Sequence, residues 1–422
     1  MTRTTQPCRL AALGMISALG NGPTETWPRL IGGDTSRLVR RSDLVPDQEL
    51  ILGMVGDALP QVPEHLREFD CRNNRLLLAA LDQIAAPISA AVERFGRARI
   101  AVVAGTSTAG VADAEEAIRH QVRTGNLPER FRYAQLEFGG TSDFIAAYLG
   151  TTGPAYTLST ACSSGARALA SARSLVAMGI ADAVVCGAAD TLCGVTANGF
   201  SSLGVVAPEL TNPCSLNRRG LTLGEAAAFF LVTRDEGGIQ LVGVGESSEA
   251  HHMSSPDPEG AGARAAMQAA LADAGLAATD IAYLNLHGTG TSINDSMESL
   301  AVAEVLGGSV PVSSTKTLVG HTLGAAGAIE AAFCWQILDD YDGRELSLPP
   351  HRWDGIADPA LPALDLVEAG RRACPREVAR VMTNSFGFGG NNCTLILERR
   401  AAPATTARPS RSTALAEAPG PR

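Results

Sequence analysis

The sequence predicts an α/β protein built as two matching halves around a largely buried sheet. Three observations predict it. Short β-rich runs alternate with helical stretches along most of the chain, the pattern of a sheet with helices packed on it. The order of these elements repeats loosely, with the second copy starting near Ile239. The composition is that of a globular protein, 45% hydrophobic and 18% charged over 422 residues, enough chain for one large core or two moderate ones.

The elements follow in order. Strands are predicted at "RIAVVAG" (99–105), "ADAVVCGA" (181–188), "AFFLVTR" (228–234), "IAYLNLHG" (281–288) and "VARVMTNS" (378–385). Each is a short apolar run bounded by turn residues. Helices are predicted over 74–96, 165–179, 262–275 and 324–340, where apolar and small residues recur at helical spacing. The repeat aligns three pairs of segments. "RIAVVAGTSTAG" matches "IAYLNLHGTGTS", "YTLSTACSSGARALASARSLV" matches "VPVSSTKTLVGHTLGAAGAIEAAF", and "ADAVVCGAAD" matches "VARVMTNSFGFGG". The halves span 1–238 and 239–398. The remainder, 399–422, is rich in Ala, Pro, Thr and Arg without an apolar period and is expected to be a disordered tail.

Charge and patterning exclude several classes. A net charge of −10 and a pI near 5.3 repel phosphate backbones, and no basic cluster overrides them, so nucleic acid is not expected as a partner. No apolar run reaches spanning length, and "MTRTTQPCRL" lacks the apolar core of a signal peptide. A cytoplasmic location is expected. The nine cysteines form no CxxC pair and should be thiols, most of them small core residues.

Cys162 stands apart. It sits in "TLSTACSSGARAL", between an extended segment and the start of a helix. A helix end stabilises a nearby anion by up to about 2 kcal/mol, which would bring a thiol pKa from about 8.5 toward about 7. The alternative is a thiol that fills a strand-to-helix turn. Among seven histidines, His287 and His321 lie in matching Gly-rich loops, "LNLHGTGTS" and "TLVGHTLGAAG". His65, His120 and His351 stand in polar or Pro-rich settings and are expected to be solvated, and the His251–His252 pair is expected in a surface loop. A Cys-His-His set could ligate zinc, but none of the three has a second ligand nearby in sequence. A nucleophile with two supporting imidazoles is the better reading. Lys316 and Glu298 could form a pair that orients the histidines. In "NSFGFGGNN" (384–392) two phenylalanines lie among glycines, where backbone N–H groups could serve as oxyanion donors together with that of Cys162.

"TACSSG", "HGTGT", "K….GHTLGAAG" and "NSFGFGG" resemble, in order, the motifs of the β-ketoacyl-acyl carrier protein synthases, and the resemblance covers about residues 8–398. It implies the thiolase-like fold, with duplicated α/β halves in a layered αβαβα arrangement. It implies that Cys162 accepts the acyl chain and that His287 and His321 serve malonyl-thioester decarboxylation, with Lys316 and Glu298 in support. Thr289 and Thr291 would contact a phosphopantetheine arm. Phe386 and Phe388 would gate the site, with the N–H of Phe388 and that of Cys162 in the oxyanion hole. No metal or other cofactor is implied, since substrates arrive on a phosphopantetheinylated acyl carrier protein. "CRNNRLLLAALDQI", "GTSTAG", "GEAAAFFL" and "GFGGNN" are similar to the ketosynthases of aryl polyene biosynthesis, whose partner is a cysteine-lacking chain-length factor. Ser159, "GEAAA" (224–228) and Asn391 depart from the fatty-acid enzymes. A homodimeric fatty-acid elongating ketosynthase is the alternative. In the heterodimer the central contact is expected over about 139–160.

Overall fold

The computed structural model describes residues 6–375 and 378–400. The N-terminal half contains β1 (Cys8–Ser17), α1 (Arg72–Asp82), α2 (Ala85–Phe95), β2 (Ile100–Gly105), α3 (Phe138–Leu149), β3 (Ala155–Leu158), α4 (Ser164–Ala177), β4 (Ala183–Asp190), α5 (Gly194–Ser202) and β5 (Ala226–Thr233). The C-terminal half contains β6 (Ile239–Ser248), α6 (Ala261–Ala274), β7 (Tyr283–Asn285), α7 (Ser292–Leu306), β8 (Pro311–Ser313), α8 (Ala326–Asp340), β9 (Val378–Gly387) and β10 (Asn391–Arg400).

The duplication holds strand by strand. In the first half β1, β5, β4, β2 and β3 lie side by side; in the second, β6, β10, β9, β7 and β8 do. Each set has two antiparallel pairings followed by two parallel ones. Even the irregularities match. The register of β1 against β5 shifts between Leu10 and Ala12, and that of β6 against β10 shifts at the equivalent place, between Leu241 and Gly243. The sets join where Cys8 pairs with Leu241 and Arg9 with Gln240. β3 ends the sheet on one side.

The layers follow from burial. Every residue of β2, β4 and β5 is buried, which explains their continuous apolar runs. α4 and α8 fill the middle and pack on strands of both halves, α1 and α2 cover the first set outside, and α6 and α7 cover the second. The central helices cross closely because glycines meet there. A Cβ on Gly165 would stand 2.6 Å from the Ala328 nitrogen, and one on Gly327 would stand 2.7 Å from the Ala166 nitrogen. This contact places the start of α4 beside the loop that leads into α8.

Two expectations change. The single helix over 74–96 is two helices bent by 75°. Pro87 has no N–H to continue the ladder from α1, and the break lets α2 turn with the sheet surface. Arg399 and Arg400 belong to β10, paired with Ile239 and Val378, so the strand runs beyond the expected start of the tail. The rest of that segment lies outside the described residues. Among the described residues, no single helix is long and apolar enough to cross a membrane.

Candidate active site

β3 leads into Cys162 through a strained turn. Ala161 has φ +52°, a left-handed conformation that costs a non-glycine residue of order 1 kcal/mol. The two serines of "ACSSG" hold it. Ser163 Oγ donates to Thr160 O at 2.8 Å. Ser164 Oγ donates to Ala161 O at 2.6 Å and accepts from Thr160 N at 2.9 Å. α4 then begins at Ser164, and the sulfur of Cys162 faces a cavity of about 450 Å³.

The two histidines converge on that sulfur from the C-terminal half. His321 Nε2 lies 3.0 Å from Cys162 Sγ. Its Nδ1 accepts from Leu323 N at 3.3 Å, so the neutral ring carries its proton on Nε2 and presents a donor to sulfur. His287 stands edge-on to His321, ring centroids 5.4 Å apart. Lys316 Nζ is 3.3 Å from His287 Nδ1, which likewise leaves the proton on Nε2. Burial first, and then the positive charge of Lys316, hold both imidazoles well below the ordinary histidine pKa. They are neutral at pH 7. The neutrality expected of His321 is therefore present, but desolvation and a lysine cause it rather than a helix end.

Cys162 differs from expectation in the opposite sense. Burial pushes its thiol up to about 11, against the pull of Lys316 and of a hydrogen bond from the Phe388 N–H. The helix end does not overcome the loss of water around a sulfur that is only 6% exposed. Phe388 N–H thus points at the Cys162 sulfur. Gly387 keeps that backbone close, because a Cβ there would meet Thr160 O at 2.8 Å and Cys162 N at 3.3 Å. Phe386 stacks edge-on to His287 at 6.0 Å, and Thr289 and Thr291 line the same cavity with their hydroxyls 2.9 Å apart.

Lys316 and Glu298 are both buried here but do not pair. Lys316 bonds Glu330, on α8. Glu298 accepts from His287 N at 2.8 Å, Gly288 N at 2.7 Å and Asn384 Nδ2 at 3.3 Å, so it fixes the histidine loop against β9. Glu330 had a signal in the sequence: it is the lone charge inside the apolar run "GAAGAIEAAFCWQIL", and a buried carboxylate needs a cation. Burial raises the carboxyls of Glu298 and Glu330 to about 7.

Lys316→Ala leaves Glu330 buried without its cation, and stability should fall by about 3–5 kcal/mol. A carboxyl with a raised folded pKa is neutral below that value and becomes harder to accommodate as pH rises through it. The loss, read by urea unfolding, should therefore be smaller at about pH 5 than at about pH 8. An equal loss at both would show that Glu330 is not the group left unpaired.

Two further residues were missed or misplaced. Phe200, on α5, lies with its ring 5.5 Å from Phe388 and 6.5 Å from His321. His351, expected to be solvated, is buried. Its Nδ1 accepts from Ser314 N at 3.1 Å and its Nε2–H donates to Pro213 O at 2.9 Å. Ser314 Oγ in turn donates to Gly288 O at 2.6 Å, so His351 braces the loops that carry Lys316 and His287.

The ligand atoms of Cys162, His287 and His321 lie within 4.8 Å of one another, close enough to hold a metal ion. The surroundings do not fit one. A metal-bound imidazole donates its outer N–H to a carboxylate or carbonyl. Here each outer nitrogen accepts from a donor instead, and one of those donors is a lysine.

Comparison with known proteins agrees with this geometry. Residues 9–237 match the family model "Beta-ketoacyl synthase, N-terminal domain" and residues 239–341 match "Beta-ketoacyl synthase, C-terminal domain". Nodulation protein E of Rhizobium meliloti is 30% identical over 417 residues, 92% of this chain and 98% of the relative. The 3-oxoacyl-[acyl-carrier-protein] synthase 2 of Vibrio cholerae is 29% identical over 418 residues, 92% and 98% of the two chains. A solved ketosynthase, ApeO of Xenorhabdus doucetiae in complex with its chain length factor ApeC, is 44% identical with a TM-score of 0.88, covering 95% of this chain and 100% of that one.

Proposed function

Since the chain belongs to the β-ketoacyl synthase family of condensing, acyl-transferring enzymes, we propose that it elongates aryl polyene chains by decarboxylative Claisen condensation on an acyl carrier protein. The observation that carries the chemistry is the convergence of the His321 Nε2–H and the Phe388 N–H on the sulfur of Cys162, with the neutral His287 beside them. The pathway rests on the 44% identity to ApeO over 95% of the chain, together with the motifs "CRNNRLLLAALDQI" and "GFGGNN".

The steps follow from the donors. Cys162 attacks the incoming acyl thioester, and backbone N–H groups of Cys162 and Phe388 hold the tetrahedral oxyanion. The bond to the carrier sulfur breaks, the carrier leaves as its thiol with the proton that Cys162 gave up, and the acyl group stays on Cys162. A malonyl thioester then enters past Phe386 and Phe388, its phosphopantetheine arm lying along Thr289 and Thr291. Loss of carbon dioxide moves an electron pair onto the thioester carbonyl oxygen, where the two Nε2–H groups receive it. The enolate carbon attacks the acyl carbon, the bond to Cys162 breaks, and the β-ketoacyl product leaves on the carrier protein. Neutral imidazoles suit this work, since they donate without presenting a proton acidic enough to quench the carbanion.

A chain-length factor is the proposed partner. β3 is the edge of the sheet and leads directly into Cys162, so pairing there would couple assembly to the site. Purified alone and with a cysteine-lacking paralogue, the chain should show a heterodimer mass and extend conjugated aryl primers only in the mixture. A homodimer equally active on those primers without the paralogue would rule this out. The second reading, a homodimeric fatty-acid elongating synthase, is favoured by the 3-oxoacyl-[acyl-carrier-protein] synthase 2 relatives. Saturated primers in the same assay, with product masses read on the carrier protein, separate the two.

A further inference from the structure

The turn that follows His321 is strained, and a carboxylate used in no catalytic step holds it. Leu323 has φ +56°, a left-handed conformation rare for a branched, buried residue. Its N–H donates to His321 Nδ1 at 3.3 Å. The next amide, Gly324 N, donates to Asp190 Oδ2 at 2.6 Å, and a Cβ at position 324 would stand 2.6 Å from the same oxygen. Glycine is there because the carboxylate must come close.

Asp190 closes β4 and is fully buried. Besides Gly324 it accepts from Thr106 Oγ1 at 2.6 Å, Ser107 N at 2.9 Å, Ser107 Oγ at 2.6 Å, Thr108 N at 2.9 Å and Thr108 Oγ1 at 2.8 Å. Ser107 Oγ also accepts from Gly324 N at 3.2 Å. The other end of this cluster is a second strained turn, with Ala109 at φ +45° and its N–H on Thr106 Oγ1 at 2.9 Å. One carboxylate therefore ties two left-handed non-glycine turns, one from each half of the molecule. Six protein donors at one buried carboxylate exceed what a strand end needs, and the one contact that reaches the active site passes through Gly324 and Leu323.

We propose that Asp190 is a positioning residue that decides which nitrogen of His321 carries the proton, by holding the Leu323 N–H against Nδ1 so that Nε2–H faces Cys162. The proposal rests on reading His321 and Cys162 as the working pair. If the Leu323 turn relaxed, Nδ1 would lose its donor. The ring could then hold its proton on either nitrogen, and the sulfur would lose a fixed hydrogen-bond donor.

The effect has a sign that a simple field effect does not share. The negative charge of Asp190 by itself raises the Cys162 pKa. Removing the charge alone should make the thiol more acidic, whereas losing the His321 donor should make it less so. Asp190→Asn keeps the shape, leaves one acceptor oxygen and turns an amide group toward the remaining donors. Alkylation by iodoacetamide, followed across pH by mass at the Cys162 peptide with exposed Cys374 as internal standard, reads the thiol without any acyl substrate. A failure of the condensation reading would appear as missing acyl adducts on the unaltered enzyme and leave this profile untouched.

The expected result is that alkylation of Asp190→Asn at Cys162 slows about tenfold near neutral pH and its midpoint rises by about one unit. Ser107→Ala, which keeps the carboxylate and removes the hydroxyl bridging it to Gly324, should shift the midpoint the same way by less. It decides the question if Asp190→Asn does not fold. In a His321→Ala background, Asp190→Asn should raise the midpoint no further. A midpoint that falls in Asp190→Asn, that is unmoved in Ser107→Ala, or that rises again without His321 would overturn the proposal.

Discussion

Cys162→Ala should abolish both the acyl adduct on the protein and condensation. The sulfur is the atom on which the His321 Nε2–H and the Phe388 N–H converge, and among the described residues no other cysteine lines that cavity. Cys214 and Cys193 are buried with thiols pushed up by desolvation, and Cys393 is inside β10. Removing one sulfur that already borders a cavity loses little packing, about 1 kcal/mol. Intact-mass measurement after exposure to acyl-carrier protein, with a thermal melt as control, checks the outcome. A variant that still gains the mass of an acyl group would sink the assignment of the nucleophile.

The second large effect is expected at His287. Its ring receives Lys316 Nζ on one side and offers Nε2–H on the other, and it does not supply the 3.0 Å contact to the sulfur, which belongs to His321. His287→Ala should therefore still load an acyl group on Cys162 while condensation falls about 100- to 1,000-fold, the usual cost of one lost donor to a developing oxyanion. His321→Ala should impair both steps, because its donor touches the sulfur directly. Single-turnover measurement separates the steps: acyl transfer is followed by mass, and β-ketoacyl product by release on the carrier protein. If loading by His287→Ala drops as far as condensation, the division of labour between the two histidines is wrong.

The residues proposed for the site are legible in sequence because their motifs are local. Cys162, His287, His321, Phe386, Phe388, Thr289 and Thr291 all stand at the same cavity, each at the end of a predicted strand or in the Gly-rich loop after it. Such residues are legible because the chain must bend sharply where it delivers them, and small residues mark the bends. The pairing of charges was not legible in this way. Lys316 and Glu298 each lie beside a histidine loop, which suggests a pair, yet the partner of Lys316 is Glu330, fourteen residues on and brought back to it at the start of α8. His351 looked solvated among prolines and arginine, but the segment passes under the Lys316 loop and buries it.

The sequence by itself determined the fold class, the duplication, the order of the loops and the residue types gathered at the cavity. These depend on local patterning: period, turn residues and a repeat that places equivalent strands in equivalent order. Only the tertiary structure decided the electrostatic state of the site. Whether Cys162 rests as thiol or thiolate, which nitrogen of each histidine holds the proton, and which carboxylate neutralises Lys316 are all set by burial and by donors brought from other elements. Desolvation depends on everything that surrounds a group in space. A helix start visible in sequence cannot outweigh it when His321 and the Phe388 loop close over the sulfur.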